Sequence, residues 1–445
     1  MPRDVRMRGF AVRADVEEVE RFLAERTHAL PAESVALLDC IGRVLAVDVR
    51  AEVDVPAFPR SAMDGFAVRG ADSFGASDYD PVFVRVIGVA LPGRPFAGTL
   101  GPGEAVRIMT GAPVPAGADA VVPAEVCEEA EGRVAVREAV PPLRHVGARG
   151  EDVRAGETVL RAGRRLRPQD AGLLASIGVA SIACHRRPRV ALLMTGDELL
   201  PPGSQPEGAR IVDSNSLVLR GLAARDGAEI AACEWLPDQP ERIRAALLEA
   251  DADVLLVSGG SSVGQEDHAP RLVAELGTLD FHGVAMRPSS PAGLGRIDGR
   301  WIFLLPGNPV SCLCAYEFFA GPTLRALGGR PRAWPHRRVR LPLARKLASA
   351  IGRVDYVRVA IEAGRVVPLS ISGASILSST VRAAGAVIVP RGLEGVPEGA
   401  EVEVLLYDDA PPGEGAEGKG LDSRASREGH VPRSAAEPSE GEGLP

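Results

Sequence analysis

Three stretches of this chain combine glycine, small hydroxyl residues and carboxylates in a way that suits phosphate chemistry. They are Thr195-Gly196-Asp197-Glu198, Ser258-Gly259-Gly260-Ser261-Ser262-Val263-Gly264-Gln265-Glu266-Asp267 and Pro306-Gly307-Asn308-Pro309-Val310-Ser311. A Gly-Gly-Ser-Ser-x-Gly run lets backbone N–H groups approach a phosphate, and helix N-termini add positive dipole ends. Glu198, Asp238 and Asp267 offer carboxylates to Mg2+, which takes one or two of them together with waters and substrate phosphates. Such an ion, bridging a phosphoanhydride, neutralises charge as a P–O bond breaks. Any one of these loops alone reads equally well as ordinary turn chemistry. Asp238 serves equally as a helix N-cap, and the same alternative applies to Asp213 in Ile211-Val212-Asp213-Ser214-Asn215. His268 and His282 lack ligand spacing, and Ser261, Ser262 and Ser311 have no histidine in a triad pattern, so no serine nucleophile is expected.

Each of the three stretches leaves an apolar run: 189–194, 253–257 and 301–305. Such runs suit strands buried on both faces. Between them lie helical patterns at 216–225, after Asp238 with Pro240 and Glu241 in the first turn, at 269–276 and at 310–319, and further strands at 229–236 and 279–286. Pro322 and Gly328-Gly329 should end the last helix. This alternation predicts a doubly wound, mainly parallel sheet over 188–329, and ligands bind such sheets beyond the carboxyl ends of their strands. The three loops should therefore meet at one edge.

The remainder reads differently. A helix is expected from Asp15 to His28, with Asp15 and Glu18 in a capping-box pattern and Val16, Val19, Phe22 and Leu23 on one face. Residues 51–147 are short valine-rich runs punctuated by Gly and Pro, a β-rich module. Within it, Asp64 in SAMDGFA (61–67) and Thr110 in RIMTGAP (107–113) look locally like turn residues. Residues 330–408 return to short β patterns that fit a small barrel, and 409–445 have almost nothing to bury.

Composition excludes several functions. A formal net charge of −8 argues against a general nucleic-acid binder, and no apolar run is long enough for a membrane span. The N-terminus shows no signal-like apolar region, which makes the cytoplasm the expected location. Lys346 and Lys419 are the only lysines, so a phosphate loop ending in Gly-Lys-Ser/Thr is absent and an oxyanion must be held by arginine, backbone N–H or metal. Six cysteines form no C-x-x-C pair and read as small buried hydrophobes.

Taken together, the stretches at 61–67, 107–122, Gly150-Glu151-Asp152, 186–199 (RRPRVALLMTGDEL), 211–215, 258–267 and 306–311 resemble the molybdopterin molybdenumtransferases, bacterial relatives of the gephyrin E domain. The resemblance runs from about residue 9 to 408. It implies a discontinuous helical domain (9–50 and 148–187), a β-rich inserted domain (51–147), a doubly wound molybdopterin-binding domain (188–329), a C-terminal β-barrel (330–408) and a disordered tail (409–445). It also implies a homodimer with the site in a cleft between subunits, molybdopterin-adenylate and molybdate as substrates, a divalent cation such as Mg2+, AMP as product, and contact with the adenylyltransferase of the same pathway. Carried onto this chain, Asp64, Glu198, Asp238 and Asp267 become catalytic candidates, with the last three also holding metal. Thr110, Asp152, Gly259, Gly260, Ser262, Gly264, Pro306, Gly307, Asn308, Pro309 and Ser311 become substrate-binding candidates. One stretch departs from the pattern: three lysine positions of the family are Gly283, Arg287 and Ser290 here, leaving Arg287 as the remaining cation for an oxyanion. That departure also admits a tungstate-handling paralogue. An adenylyltransferase-like nucleotide enzyme would need neither the SAMDG module nor the barrel, and a non-catalytic scaffold would not need the acids.

Overall fold

Five consecutive apolar residues, Val190 to Met194, are each at most 1% exposed, as the central strand of a sheet covered on both faces requires. The computed structural model describes residues 13–260, 268–370 and 374–408. Its central unit consists of β1 (Arg189–Thr195), β2 (Glu229–Leu236), β3 (Val254–Ser258), β4 (Thr278–His282), β5 (Gly293–Ile297) and β6 (Arg300–Leu305). The sheet order is β2-β1-β3-β6-β5-β4; the first four strands run parallel, and only β5 is reversed, pairing antiparallel with both β6 and β4. The helices of this unit are α2 (Asn215–Arg225), α3 (Pro240–Glu249), α4 (Ala269–Leu276), α5 (Pro309–Ala315) and α6 (Gly321–Leu327), preceded in the chain by α1 (Val16–Arg26). Alternation along β1 separates two cores. Val190, Leu192 and Met194 pack with Leu219 and Ala223 of α2 and Cys312 of α5, whereas Ala191 and Leu193 pack with Ile243 and Leu247 of α3 and Leu272 and Val273 of α4.

Several expectations need correction. The strand expected over 279–286 is two: β4 stops at His282, Gly283 turns with φ 90°, and Met286–Arg287 pairs parallel with Val354–Glu362 of the C-terminal sheet. Pro322 does not end the last helix. A π turn over Tyr316–Ala320 precedes it, and the helical backbone continues through that wider turn into α6 with Pro322 in place. Asp15 makes no side-chain cap to α1; it pairs with Arg391 instead.

The discontinuous segment is not a helical unit either. Val16, Val19 and Leu23 of α1 join the core of the doubly wound unit. What remains pairs Ala32–Ala36 with Ser181–His185 and Val49–Arg50 with Thr158–Leu160, with one further helix, Pro168–Ser176. Val35, Cys40, Leu45, Leu166, Leu174 and Cys184 fill its small core. The inserted module is a six-stranded sheet in which Gly65–Val68 lies between Glu104–Ile108 and Ala120–Pro123. Beyond the central unit, Arg338–Pro342, Glu401–Leu406, Gly385–Val389, Val354–Glu362 and Arg365–Ser370 pair in that order. A bridge between Leu343 and Val366 closes the ring.

Candidate active site at the carboxyl edge of the sheet

Parallel register brings the strand ends level. Thr195 lies beside Leu236, Met194 beside Ser258, and Ser258 beside Leu305, so the segments that follow leave the sheet together. Backbone bonds carry this one residue further: Gly196 N–H donates to Leu236 O at 3.1 Å and Gly259 N–H to Leu305 O at 3.2 Å. Gly259 has φ +98°, and a Cβ there would stand 2.2 Å from the Thr195 carbonyl oxygen. Only glycine permits that approach. Its Cα lies 3.6 Å from where a Cβ on Gly307 would be, so the 258–260 and 306–308 segments touch.

A side-chain network fastens this edge. The Asn215 amide, at the start of α2, donates to Ser258 Oγ at 3.0 Å and to Gly307 O at 2.7 Å. Asp213, 5% exposed, accepts the backbone N–H groups of Asn215 (2.8 Å) and Ser216 (3.2 Å) on one oxygen and Trp235 Nε1–H (3.0 Å) on the other. Asp213, one residue before the N-cap Ser214, thus satisfies two first-turn N–H groups of the helix that carries Asn215 into the site. Cys312 lies behind Ser258, with its thiol 3.7 Å from the hydroxyl, and burial pushes its pKa up to about 12. It is packing, not a nucleophile.

Glu198 and Asp238 flank the same edge. Ile211 N–H donates to Glu198 O at 2.8 Å, and Asp238 N–H donates to Asp197 Oδ1 at 3.2 Å. The N-cap of α3 is Gln239, not Asp238. Ser262, Gly264 and Asp267 lie outside the described residues. Among the described residues no three acidic, histidine or cysteine side chains gather as a metal site. Glu198 and Asp238 are carboxylates of the kind a divalent cation accepts when a substrate phosphate completes its shell.

In the last loop, Asn308 is the N-cap of α5 and its carbonyl accepts Cys312 N–H at 2.9 Å, while Pro309 fills the first helical position after Pro306 and Gly307. Ser311 is 4% exposed and its carbonyl accepts Ser289 Oγ–H at 2.8 Å. Val310 N–H reaches Ala374 O at 2.9 Å, tying this loop to the C-terminal domain.

Asp64 and Thr110, read separately as turn residues, meet in the inserted module. One Asp64 oxygen accepts both the backbone N–H (2.7 Å) and the hydroxyl (2.8 Å) of Thr110. Those two bonds hold the exposed carboxyl below its ordinary range. No hydrogen bond or ion pair among the described residues joins this pair to the strand-end loops. Asp152 is exposed and its backbone N–H donates to Val55 O at 3.0 Å, again apart from those loops.

Arg287, expected at an oxyanion, pairs with a carboxylate of the C-terminal sheet. Its register partner in the C-terminal sheet is Asp355, 1% exposed, and the guanidinium pairs with that carboxylate, which also holds Arg353 and Ser349 Oγ.

Sequence reading quoted Asn215 and Ser258 within motifs without giving either a role of its own, and passed over Trp235. The signal for Asn215 was its place at a helix start two residues after a buried acid; for Ser258, the last position of an apolar strand; for Trp235, an aromatic one residue before a strand end.

Comparison with known proteins agrees with this architecture. Residues 14–178 match the MoeA N-terminal region (domain I and II), 191–326 a probable molybdopterin binding domain, and 340–407 the MoeA C-terminal region (domain IV). The chain is 37% identical over 404 residues to molybdopterin molybdenumtransferase 2 of Mycobacterium tuberculosis H37Rv, covering 87% of this chain and 98% of that protein. It is 31% identical over 406 residues to the molybdopterin molybdenumtransferase of Staphylococcus aureus COL, covering 88% and 95%. The crystal structure of the molybdopterin biosynthesis MoeA protein from Pyrococcus horikoshii superposes with TM-score 0.78 at 33% identity, covering 89% of this chain and all of that one. The chain belongs to the MoeA family, the molybdopterin molybdenumtransferases.

Proposed function

We propose that this protein inserts molybdate into molybdopterin-adenylate and releases AMP, acting in the cytoplasm as a homodimer. The observation that carries this reading is the carboxyl edge of the sheet, where Asn215 ties the 258–260 and 306–308 segments together beside Glu198 and Asp238. Backbone N–H groups around Gly259, Gly260 and Gly307 receive the phosphoanhydride, and the 306–309 segment with Ser311 receives the oxyanion. Mg2+ held by Glu198 and Asp238, with Asp267 completing the family set, would neutralise phosphate charge as AMP leaves. Asp64, kept ionised by Thr110, and Asp152 reach the site from the partner subunit across a cleft. A transient contact with the pathway adenylyltransferase would deliver the substrate.

The test is functional: protein, Mg2+, molybdate and molybdopterin-adenylate should together yield a product that activates a molybdenum-dependent apoenzyme. Chelation of the divalent ion should abolish that activation. Failure to activate with every component present would overturn the reading.

A further inference from the structure

Trp235 is an aromatic residue without a structural reason for its exposure. It stands one position before the end of β2, in register with Met194 of β1, on the face of the sheet that α2 covers. The indole is 36% exposed, while its Nε1–H is spent on buried Asp213 at 3.0 Å. Ile211, two residues before Asp213, and Leu217, in the first turn of α2, are 55% and 57% exposed. Among the described residues of 188–329, Trp235 is the only aromatic in the set of exposed large hydrophobics. An indole whose N–H is already bonded and whose ring is partly open to solvent offers a π-face on which a flat ligand can stack.

Its position defines that partner. The residue after it, Leu236, accepts the N–H of Gly196, and the residue two beyond Leu236 is Asp238, so Trp235 adjoins both acid-bearing loops. Through Asp213 it is also one step from Asn215, which binds Ser258 and Gly307. The hydrogen bond to Asp213 fixes the ring orientation, so little rotamer freedom is left to lose on stacking.

We infer that Trp235 is a stacking platform for a flat bicyclic heterocycle of the substrate. This rests on the proposed function, which supplies two such rings, adenine and pterin. Both have the shape and π-face that an indole stacks, and experiment distinguishes them.

The experiment titrates the full chain, with Mg2+, against AMP and separately against 6-hydroxymethylpterin. It follows tryptophan emission and, in parallel, heat of binding, for the wild type, Trp235→Phe and Trp235→Ala. Trp301 and Trp334, respectively 5% exposed and part-buried, remain in Trp235→Phe, so the difference between wild type and that variant isolates the emission of Trp235. One of the two heterocycles should quench the wild type and leave Trp235→Phe unquenched, which names the ring bound. Trp235→Ala should raise KM for molybdopterin-adenylate about tenfold with kcat within about twofold, and Trp235→Phe should raise KM less than about threefold. Trp235→Phe keeps an aromatic ring in the fold, so its loss of quenching is readable even if Trp235→Ala is unstable. Equal binding heats in wild type and Trp235→Ala without quenching would overturn the platform and leave the proposed function standing. A changed sedimentation mass in Trp235→Ala with unchanged binding would overturn it in favour of a subunit contact. Absence of any binding by the wild type, including molybdopterin-adenylate, would overturn both.

Discussion

At Asp64 one carboxylate oxygen takes two hydrogen bonds from Thr110, and these favour the charged form of an otherwise exposed acid. Thr110→Val keeps the backbone donor and removes the hydroxyl. The Asp64 pKa should therefore rise toward its ordinary value, and the acid limb of the activity–pH curve should move to higher pH, read by carboxyl NMR titration alongside the rate profile. Asn215 makes the second residue-scale prediction. Asn215→Ala leaves Ser258 Oγ and Gly307 O without their shared donor, at a cost of about 1–3 kcal/mol in unfolding free energy. It should also lower kcat by about a hundredfold, because the loops it ties are displaced. Asp64 and Glu198 could be named as candidates from the sequence because the motifs that carry them are short and local. The role of Asn215 was not legible, because its partners lie 43 and 92 residues away and only the fold brings them close.

Elements were legible where periodicity was strong. The apolar runs that became β1, β3 and β6, and the patterns that became α3 and α4, have one reading each, and parallel pairing then levels their ends. They were misread where tertiary pairing decided the outcome. Met286–Arg287 leaves the strand before it because Val354–Glu362 offers it a ladder, a partner with no local signal. That pairing is also what sets Arg287 opposite Asp355 and makes their ion pair a tie between domains. The helix through Pro322 survives because a π turn precedes it, a geometry that propensities do not encode. At this scale the loop after β3 makes the sharpest demand. Gly259→Ala would place a Cβ 2.2 Å from Thr195 O at φ +98°, so β1 and β3 cannot both keep their places. A loss of about 3 kcal/mol or more in denaturant unfolding is expected; an unchanged midpoint would contradict the close approach.

Across the whole molecule a buried charge cluster joins the domains. Glu317, 2% exposed in the π turn, pairs with Arg225 of α2 and with His336, whose other ring nitrogen contacts Leu406 O in the C-terminal barrel. Burial pushes its pKa up, but the bonds from His336 and Arg225 outweigh this and hold it at about 2. A folded-state pKa below the unfolded value means the stabilisation is present above about pH 4.5 and lost as pH falls toward 2. That contribution is on the order of 3 kcal/mol. Glu317→Gln should be less stable at neutral pH and show a shallower loss of stability over that window, measured by urea unfolding at a series of pH values. The proposed cleft between subunits makes a second whole-molecule prediction. Asp64→Asn and Asp238→Asn chains, each inactive alone, should recover about a quarter of wild-type activity when co-assembled, because some mixed dimers carry one intact site. No recovery would place both acids on one subunit. The central claim, molybdate-dependent chemistry at the carboxyl edge of the sheet, is tested most directly by AMP release from molybdopterin-adenylate with molybdate, with tungstate and with no added anion. The account predicts release that requires an oxyanion, is supported by molybdate, and falls away in Glu198→Gln and Asp238→Asn. Release that is equally fast without any anion, or unchanged in those variants, would contradict it.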